Sequence, residues 1–393
     1  MGGHHARHAA PETARMRRIA LLVIAPIAAL TVLAMIWLWP TGSIAQSEQA
    51  GGAGELEGQV VAIDRETCPE ELADDVNGCG TAEVRVTGGA EEGTRLKTLL
   101  PNGAGAPRIA EGDDVVLIET TGPDGEAFSI VDHQRATGLW VVAAAFALAL
   151  LAFGRWRGLT ALAGLAVTFA LLVFFVVPAI LAGEPPLLVA IVGSAAVVLT
   201  VLYLTHGFAL STTVAVLGTL VSLVLTGLLS AAAVAGLHLT GVTDDISTAV
   251  GAVHSVNMEG LLLAGIVIGA LGVLDDVTVT QAATVTELAR ANPSYGFRRL
   301  YRAGSRVGRS HIASVVNTIV LAYAGSSLPL LILIVANNDS LGGVVTDQVI
   351  AQEVVRSVVA TLGLIAAVPV TTALAALSAR RTGVSPAGPT LGA

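Results

Sequence analysis

Two adjacent carboxylates, Asp275 and Asp276, lie inside an apolar stretch of the chain. The apolar residues before them, 260–274, would rise about 22 Å as a helix, against about 30 Å of bilayer hydrocarbon. A membrane span here must therefore include the aspartates, or else be short, tilted or re-entrant. Charged side chains are costly in lipid and usually face a cavity or a partner. Alternatively, both aspartates lie among the lipid headgroups, where a charge costs little.

Polar side chains follow the aspartates at helical spacing. Asp276, Thr280, Thr284 and Glu287 share one helix face. Gln281 comes directly after Thr280. Hard cations prefer oxygen ligands of these kinds, and an intramembrane carboxylate can also exchange a proton. The pattern predicts a site for a small solute, a cation or a proton.

A second polar stretch, NTIVLAYAGSSLPLL, lies in the next apolar segment. Pro329 cannot donate a backbone hydrogen bond, and its ring clashes with the carbonyl of Gly325, which is expected to be free. Many transporters build sites from such broken helices. Consecutive antiparallel helices are usually neighbours, which predicts that Asp276 and Asn317 meet. The candidate substrate or ion site is Asp275, Asp276, Thr280, Gln281, Asn317, Gly325, Ser326 and Ser327, with Pro329 as the helix break.

Two structural explanations of these residues remain open. Pro329 can produce an ordinary kink that neighbouring serines satisfy, since proline is common in membrane helices. Arg306 and Arg309 could pair with the aspartates, which would form a structural clamp with no role in transport.

The composition indicates a membrane protein with several spans. Hydrophobic residues make up 53% of the 393 residues and charged residues 13%, whereas soluble domains carry about 25% charged residues. We predict an all-α polytopic membrane bundle of about eight transmembrane helices, with a small extracytoplasmic β-rich domain, a barrel or sandwich, after the first helix. The predicted spans after the anchor are 138–153, 159–181, 187–204, 208–235, one that begins near 260, 312–336 and 349–378.

The distribution of charge predicts the domains and their orientation. Arginines cluster in short loops and acidic residues in the soluble domain, so the positive-inside rule places both termini in the cytoplasm. The cytoplasmic basic loop, which we expect to contact anionic lipid headgroups, contains Arg298, Arg299, Arg302, Arg306 and Arg309. The predicted domains are a basic tail at 1–18, an anchor at 19–39, the β domain at 46–136, a seven-helix membrane domain at 138–378 and a disordered tail at 382–393.

The β domain is predicted from four short strands at 58–63, 82–87, 115–119 and 128–131, with turn residues between them. Cys68 and Cys79 are expected to form a disulfide in an oxidising exterior. Ser43 and Ala45 resemble a signal peptidase site, but the apolar run before them is long for a signal peptide, which favours an uncleaved anchor.

The sequence lacks the motifs of common enzymes and cofactor sites. It contains no P-loop, GxSxG, HExxH or Cys/His array, so we expect no enzymatic activity, no metal site and no cofactor. The basic residues follow a membrane-orientation pattern, which gives no reason to expect nucleic acid as a partner.

The chain resembles the YibE/F family of bacterial multi-span membrane proteins in GALGVLDDVTVTQAATVTEL, in RAGSRVGRSHIASVVNTIVLAYAGSSLPLL and in the small β domain after one anchor. The resemblance covers most of the chain and is most specific over 259–331. It implies a location in the bacterial plasma membrane, and members are often described as transporters with no established substrate. It favours Asp276 over Asp275, because many members are acidic only at the second position. Where other members carry an acidic residue after the glycine-arginine pair, this chain has Ser310.

Two functions follow as hypotheses. The first is a plasma-membrane transporter or permease that carries an unknown small solute or ion through the polar site, with coupling to a proton or a cation. The second is a non-transporting scaffold, in which the β domain binds an envelope protein and the basic loop binds the lipid bilayer or a cytosolic protein.

Overall fold

The structure, a computed structural model, describes residues 14–40, 55–68, 75–88, 92–103, 105–122, 125–243, 245–336 and 347–380. The predicted tail at 382–393, most of the predicted tail at 1–18 and the start of the predicted β domain, 46–54, lie outside the described residues. The chain divides into two compact units. One contains Met1–Ile44 and Leu159–Ala393, and the other contains Ala45–Gly158.

The smaller unit contains a five-stranded antiparallel sheet. Its strands are β1 (Glu55–Glu66), β2 (Cys79–Val86), β3 (Arg95–Leu99), β4 (Asp114–Gly122) and β5 (Gly125–His133). Their order across the sheet is β3-β2-β1-β4-β5. Alternate side chains, such as Val60, Val84 and Leu117, form the buried core. The Thr98 hydroxyl of β3 donates to the Phe128 carbonyl of β5 at 2.6 Å, so the two edge strands approach each other and the sheet curls like a barrel.

A buried asparagine, Asn77, forms hydrogen bonds that connect two loops of this sheet. Asn77, which the sequence suggested only as a turn residue, is 4% exposed. Its side-chain nitrogen donates to the backbone carbonyls of Pro101 and Pro107, and its side-chain oxygen accepts a hydrogen bond from the backbone amide of Ile109. A disulfide joins Cys68 to Cys79 next to this loop, with the two Cα atoms 5.1 Å apart. Strand β3 was not predicted from the sequence, because it is a short Arg-Leu-Lys-Thr-Leu run with only two apolar residues.

The rest of the described chain is helical. The helices are α1 (Ala14–Trp37), α2 (Ala136–Gly154), α3 (Trp156–Leu171), α4 (Val177–Leu181), α5 (Pro186–His206), α6 (Leu210–Leu237), α7 (Asp245–His254), α8 (Met258–Ala291), α9 (Phe297–Ser326), α10 (Leu328–Ala336) and α11 (Gln348–Arg380). A π-helical turn, Leu172–Val176, joins α3 to α4. The prediction of a largely helical chain with a small antiparallel β domain is confirmed.

Seven helical segments of the described residues are long and apolar enough to cross a membrane: α1, α2, the continuous segment from α3 to α4, α5, α6, α8 and α11. The predicted span at 312–336 is not one of them. It is divided at Ser327 between the end of α9 and the nine-residue α10, because Pro329 interrupts the helical hydrogen bonds. The predicted basic loop is also wrong, since its arginines lie in the first half of α9.

The helices α6, α8 and α11 pack closely because glycines face threonines between them. A Cβ added to Gly363 of α11 would lie 2.0 Å from the Thr226 hydroxyl of α6, and one added to Gly218 of α6 would lie 2.3 Å from the Thr371 hydroxyl of α11. The Thr219 and Thr278 hydroxyls, 2.6 Å apart, join α6 to α8. Small residues at helix contacts in membranes allow this close approach of backbones.

We expect Gly363→Ala to reduce the free energy of unfolding by about 1–3 kcal/mol, because the new methyl group overlaps Thr226 in a packed interface. Denaturant unfolding of the purified protein in detergent would measure the change. The matched control is Gly265→Ala in α8, where an added Cβ meets nothing within 4 Å. A loss of stability in the control as large as that in Gly363→Ala would show that the contact with Thr226 is not the cause.

Candidate functional site

Both aspartates lie in the middle of a long helix. Asp275 is about 26 Å from the Met258 end of α8 and about 24 Å from its Ala291 end. The helix is continuous through both aspartates, so it need not be short or re-entrant. Asp275 is half-buried and Asp276 is exposed. Neither carboxylate forms an ion pair with a basic side chain in the part of the chain that the structure describes, so the alternative of an arginine clamp is not observed there.

A pocket of about 170 Å³ lies between α8, α9 and α11. It is lined by Gly269, Ala270, Val273, Ile319, Ala322, Tyr323, Ala360 and Leu364. On α8, Gly269 and Val273 are four residues apart, and Asp276 and Thr280 follow at the spacing of the same helix face. Asp276 therefore continues the lining face of the pocket by about one turn, and Thr280 by a second turn.

Tyr323 supplies the hydroxyl among the residues that line the pocket. A Cβ added to Gly269 would lie 2.9 Å from this hydroxyl, so the glycine leaves the space that the tyrosine occupies. Tyr323 was not predicted as a site residue, because a tyrosine in an apolar helix is ordinarily a core residue.

A charged pair on α11 was not predicted from the sequence. Arg356 Nη1 lies 3.3 Å from Glu353 Oε1, and the two side chains are 32% and 23% exposed. Glu353 Oε2, Arg356 Nε and Gln352 Nε2 are buried and have no hydrogen-bond partner among the described protein atoms. Glu353 shares a helix face with the pocket residues Ala360 and Leu364. The available signal was an acidic and a basic residue three positions apart in an apolar segment.

Three sets of polar groups lie along these faces of α8, α9 and α11, separated by the apolar residues that line the pocket. We call this series the polar path, and it consists of Asp276, Tyr323 at the pocket, and the pair Glu353–Arg356. Two contacts give the relative direction of α8 and α11: Ala270 and Ala360 line the same pocket, and Gln281 bonds Thr372 farther along both helices. The two helices therefore run parallel. Asp276 then lies on one side of the pocket and Glu353 on the other. The two carboxylates are separated by about 20 Å along the helices.

Gln281 holds helices together. It is 4% exposed, and its side-chain amide donates to the Gly304 carbonyl at 2.9 Å and to the Thr372 hydroxyl at 2.7 Å. Its side-chain oxygen is close to Gly308, where an added Cβ would lie 2.8 Å from it. The amide nitrogen is thus fully used in connecting α8 to α9 and α11, which disfavours the predicted role of Gln281 as a ligand.

The structure does not bring Asn317 to Asp276. Asn317 is exposed and comes nine residues after Gly308, half a helical revolution away, whereas Gly308 faces α8 and α11. The helix break lies beyond the pocket. The Ser326 hydroxyl donates to the Tyr323 carbonyl at 2.8 Å. The remaining break residues are also away from the aspartates: Gly325 and Pro329 are exposed, and the Gly325 carbonyl accepts from the amide of Ser327.

The first half of α9 has one basic face and one packed face. Five arginines fall within an arc of about 100° around the helix, all of them exposed: Arg298, Arg299, Arg302, Arg306 and Arg309. The opposite face contains buried Leu300, Gly304 and Gly308. None of the five forms an ion pair with a carboxylate of the described residues.

We expect Arg356→Gln to destabilise the protein by about 1–3 kcal/mol, because it leaves the Glu353 charge poorly hydrated and uncompensated. The double variant Glu353→Gln/Arg356→Gln should lose less stability than this single variant. A double-mutant cycle from denaturant unfolding in detergent would measure the coupling.

The matched control for this cycle is Glu287 and Arg290 on α8, which have the same spacing and a 2.7 Å contact but are 70% and 65% exposed. Their coupling should stay below about 0.5 kcal/mol. Equal coupling in the two pairs would contradict the expected effect of burial.

Comparison with known proteins identifies one family. A family model described as YibE/F-like protein matches residues 142–381, which include α8, α9 and α11. No curated protein and no solved structure matches the chain.

Proposed function

The chain belongs to the YibE/F family, and from that premise we propose that the protein is a transporter or permease with an intramembrane polar site around Asp276. The protein carries a small solute or ion across the bacterial plasma membrane, with both termini in the cytoplasm and the β unit outside it. No catalytic step and no bound cofactor enter this proposal.

One observation carries the proposal. Asp276 lies near the middle of the 34-residue helix α8, on the same helix face as the pocket residues Gly269 and Val273, and has no basic partner among the described residues. We place this part of α8 within the membrane, where an ionisable group is costly unless it faces a cavity or binds a neutralising ion. A proton or cation that binds Asp276 removes that cost, and its release restores the charge.

The other polar groups support this site. Thr280 lies one turn after Asp276 on the same face of α8. Tyr323 contributes a hydroxyl to the pocket, which lies on the opposite side of Asp276 from Thr280. Asp275 lies next to Asp276 but is half-buried against the helices. We therefore assign the binding role to Asp276 and an electrostatic role to Asp275, which raises the negative potential at the site.

Asp276→Asn tests the proposal. Reconstituted protein would be energised with a potassium diffusion potential, and the flux of protons, sodium ions and other small ions measured with trapped indicator dyes. We expect the variant to lower the flux of the transported ion by about tenfold or more, because an amide does not exchange a proton or neutralise a cation.

The control for this experiment is Glu287→Gln, which changes a carboxylate on the same helix that is 70% exposed and pairs with Arg290. The control should keep wild-type flux. Equal flux in Asp276→Asn and wild type would remove Asp276 from the mechanism.

A second candidate function rests on the arginine face of α9. In this hypothesis the protein is a non-transporting scaffold whose five arginines bind anionic lipid headgroups and whose β unit binds an envelope protein. The arginines are exposed on one side of a helix whose other side packs on the bundle, an arrangement that suits guanidinium binding of phosphate.

Replacing the five arginines by glutamine should remove most of the anionic lipid that copurifies with the protein, since each arginine near a membrane surface contributes about 1 kcal/mol. Lipid mass spectrometry of the purified protein would measure the loss. Two exposed arginines of the β unit, Arg65 and Arg85, provide the control substitutions. Unchanged lipid content in the five-residue variant would count against the lipid contact.

A further inference from the structure

Glu353 has one bonded and one unbonded carboxylate oxygen. Oε1 is held by Arg356 at 3.3 Å, and Oε2 is buried without a hydrogen-bond partner among the described atoms. The adjacent Gln352 is 1% exposed and has an unpaired, buried side-chain nitrogen. Glu353 therefore lies about two helical turns before the pocket residue Ala360, on the same face of α11 and on the side of the pocket away from Asp276, with unused bonding capacity at Oε2.

The elements around Glu353 differ in polarity. On its own helix it faces Arg356, and Tyr323 of α9 lies within electrostatic range of both charges. The neighbouring parts of α8 and α6 contribute apolar side chains such as Ile266 and Val234, which pack with the adjacent face of α11. The nearest helix ends carry further titratable groups, all exposed: Glu259, His238 and Asp347.

The spacing of these groups suits a proton better than a metal cation. No cluster of three or more His, Cys, Asp or Glu side chains occurs in the described part of the chain. A hard cation such as Ca²⁺ needs about six oxygen ligands together, whereas Asp276 and Glu353 are about 20 Å apart. A proton, in contrast, needs one carboxylate at a time.

We propose that Glu353 is a second proton-exchanging carboxylate of the polar path, with Arg356 as its positioning residue, so that the transported or coupling ion is the proton. This inference rests on the proposed function. Protonation at Oε2 gives a neutral acid beside a charged guanidinium, and deprotonation restores the ion pair. In protonation one O–H bond forms at Oε2 as one O–H bond of a hydronium ion breaks and leaves water, and in deprotonation water takes the proton back. Water that enters the pocket beside Tyr323 would carry the proton between Glu353 and Asp276.

Infrared difference spectroscopy of the reconstituted full chain, recorded during pH titration, tests the inference. Wild type should show a C=O stretching band of a protonated carboxyl that grows as the pH falls and shifts in D₂O. Glu353→Gln should lose the Glu353 component of this band, whereas the components of Asp276 and of exposed carboxyls remain, and Glu353→Asp should keep a component at a shifted frequency. Glu287→Gln, in the exposed pair, should leave it unchanged.

Substitutions of Arg356 provide a second test. If Arg356 only stabilised the fold, they would leave the infrared band of Glu353 unchanged. Arg356→Gln should shift the frequency of the Glu353 band, because it removes the guanidinium that contacts Oε1. Arg356→Lys should keep the frequency nearer that of wild type. Thermal unfolding of every variant in detergent identifies those that fold.

Two results would overturn the inference: a titrating band that persists unchanged in folded Glu353→Gln, or the absence of any titrating carboxyl band in wild type. The failure of the proposed function is a distinct result. If the Glu353 band behaves as expected while Asp276→Asn keeps wild-type flux, then Glu353 exchanges protons and the transport role of Asp276 is wrong.

Discussion

Close contact between the backbones of α6, α8 and α11 is the constraint on which the rest of the helical unit depends. In a membrane the hydrophobic effect does not drive helices together, so association relies on shape and on hydrogen bonds. Here Gly218 faces Thr371 and Gly363 faces Thr226, so a side chain larger than hydrogen has no room at either glycine. The contact sets the positions from which α8 presents Asp276 and α11 presents Glu353.

Environment, more than residue type, distinguishes the polar groups of this protein. Glu287–Arg290 and Glu353–Arg356 have the same spacing and the same chemistry, but the first pair is largely exposed and the second is mostly buried. Water screens and solvates the first pair, which leaves little net interaction. Desolvation of the second pair makes each charge depend on the other. Protonation of Glu353 would therefore leave the charge of Arg356 without its partner.

The sequence was sufficient for the features that follow from local composition. The apolar lengths of the spans, the β-like runs and the mid-helix aspartates were visible because hydrophobicity and its period are local properties. The division of the span at 312–336 was harder to foresee. Pro329 signalled a break, yet the amphipathic arginine segment was interpreted as a loop because charge outweighed its helical period.

Contacts between distant segments could not be predicted. Gln281 was placed among the ligands, and only packing shows that Gly304 and Thr372 occupy its amide nitrogen. Asn317 was paired with Asp276 on the assumption that consecutive helices meet, but the rotation of α9 about its own axis decides which side chains face α8. Gln352, Glu353 and Arg356 were overlooked because no motif marks them and their significance lies in burial.

The hydroxyl groups along α6 have a mechanical consequence. Thr219, Ser222, Thr226 and Ser230 each donate to the carbonyl four residues earlier in their own helix. Gln281, in contrast, ties α8 to α9 and α11. Among the described residues, the hydrogen bond between Thr219 and Thr278 is therefore the side-chain link from α6 to α8, and its loss costs about 1 kcal/mol. The hydrogen bonds of Gln281 join α8, α9 and α11 into one cross-linked block, whereas α6 is held against this block mainly by the close packing of glycines and threonines.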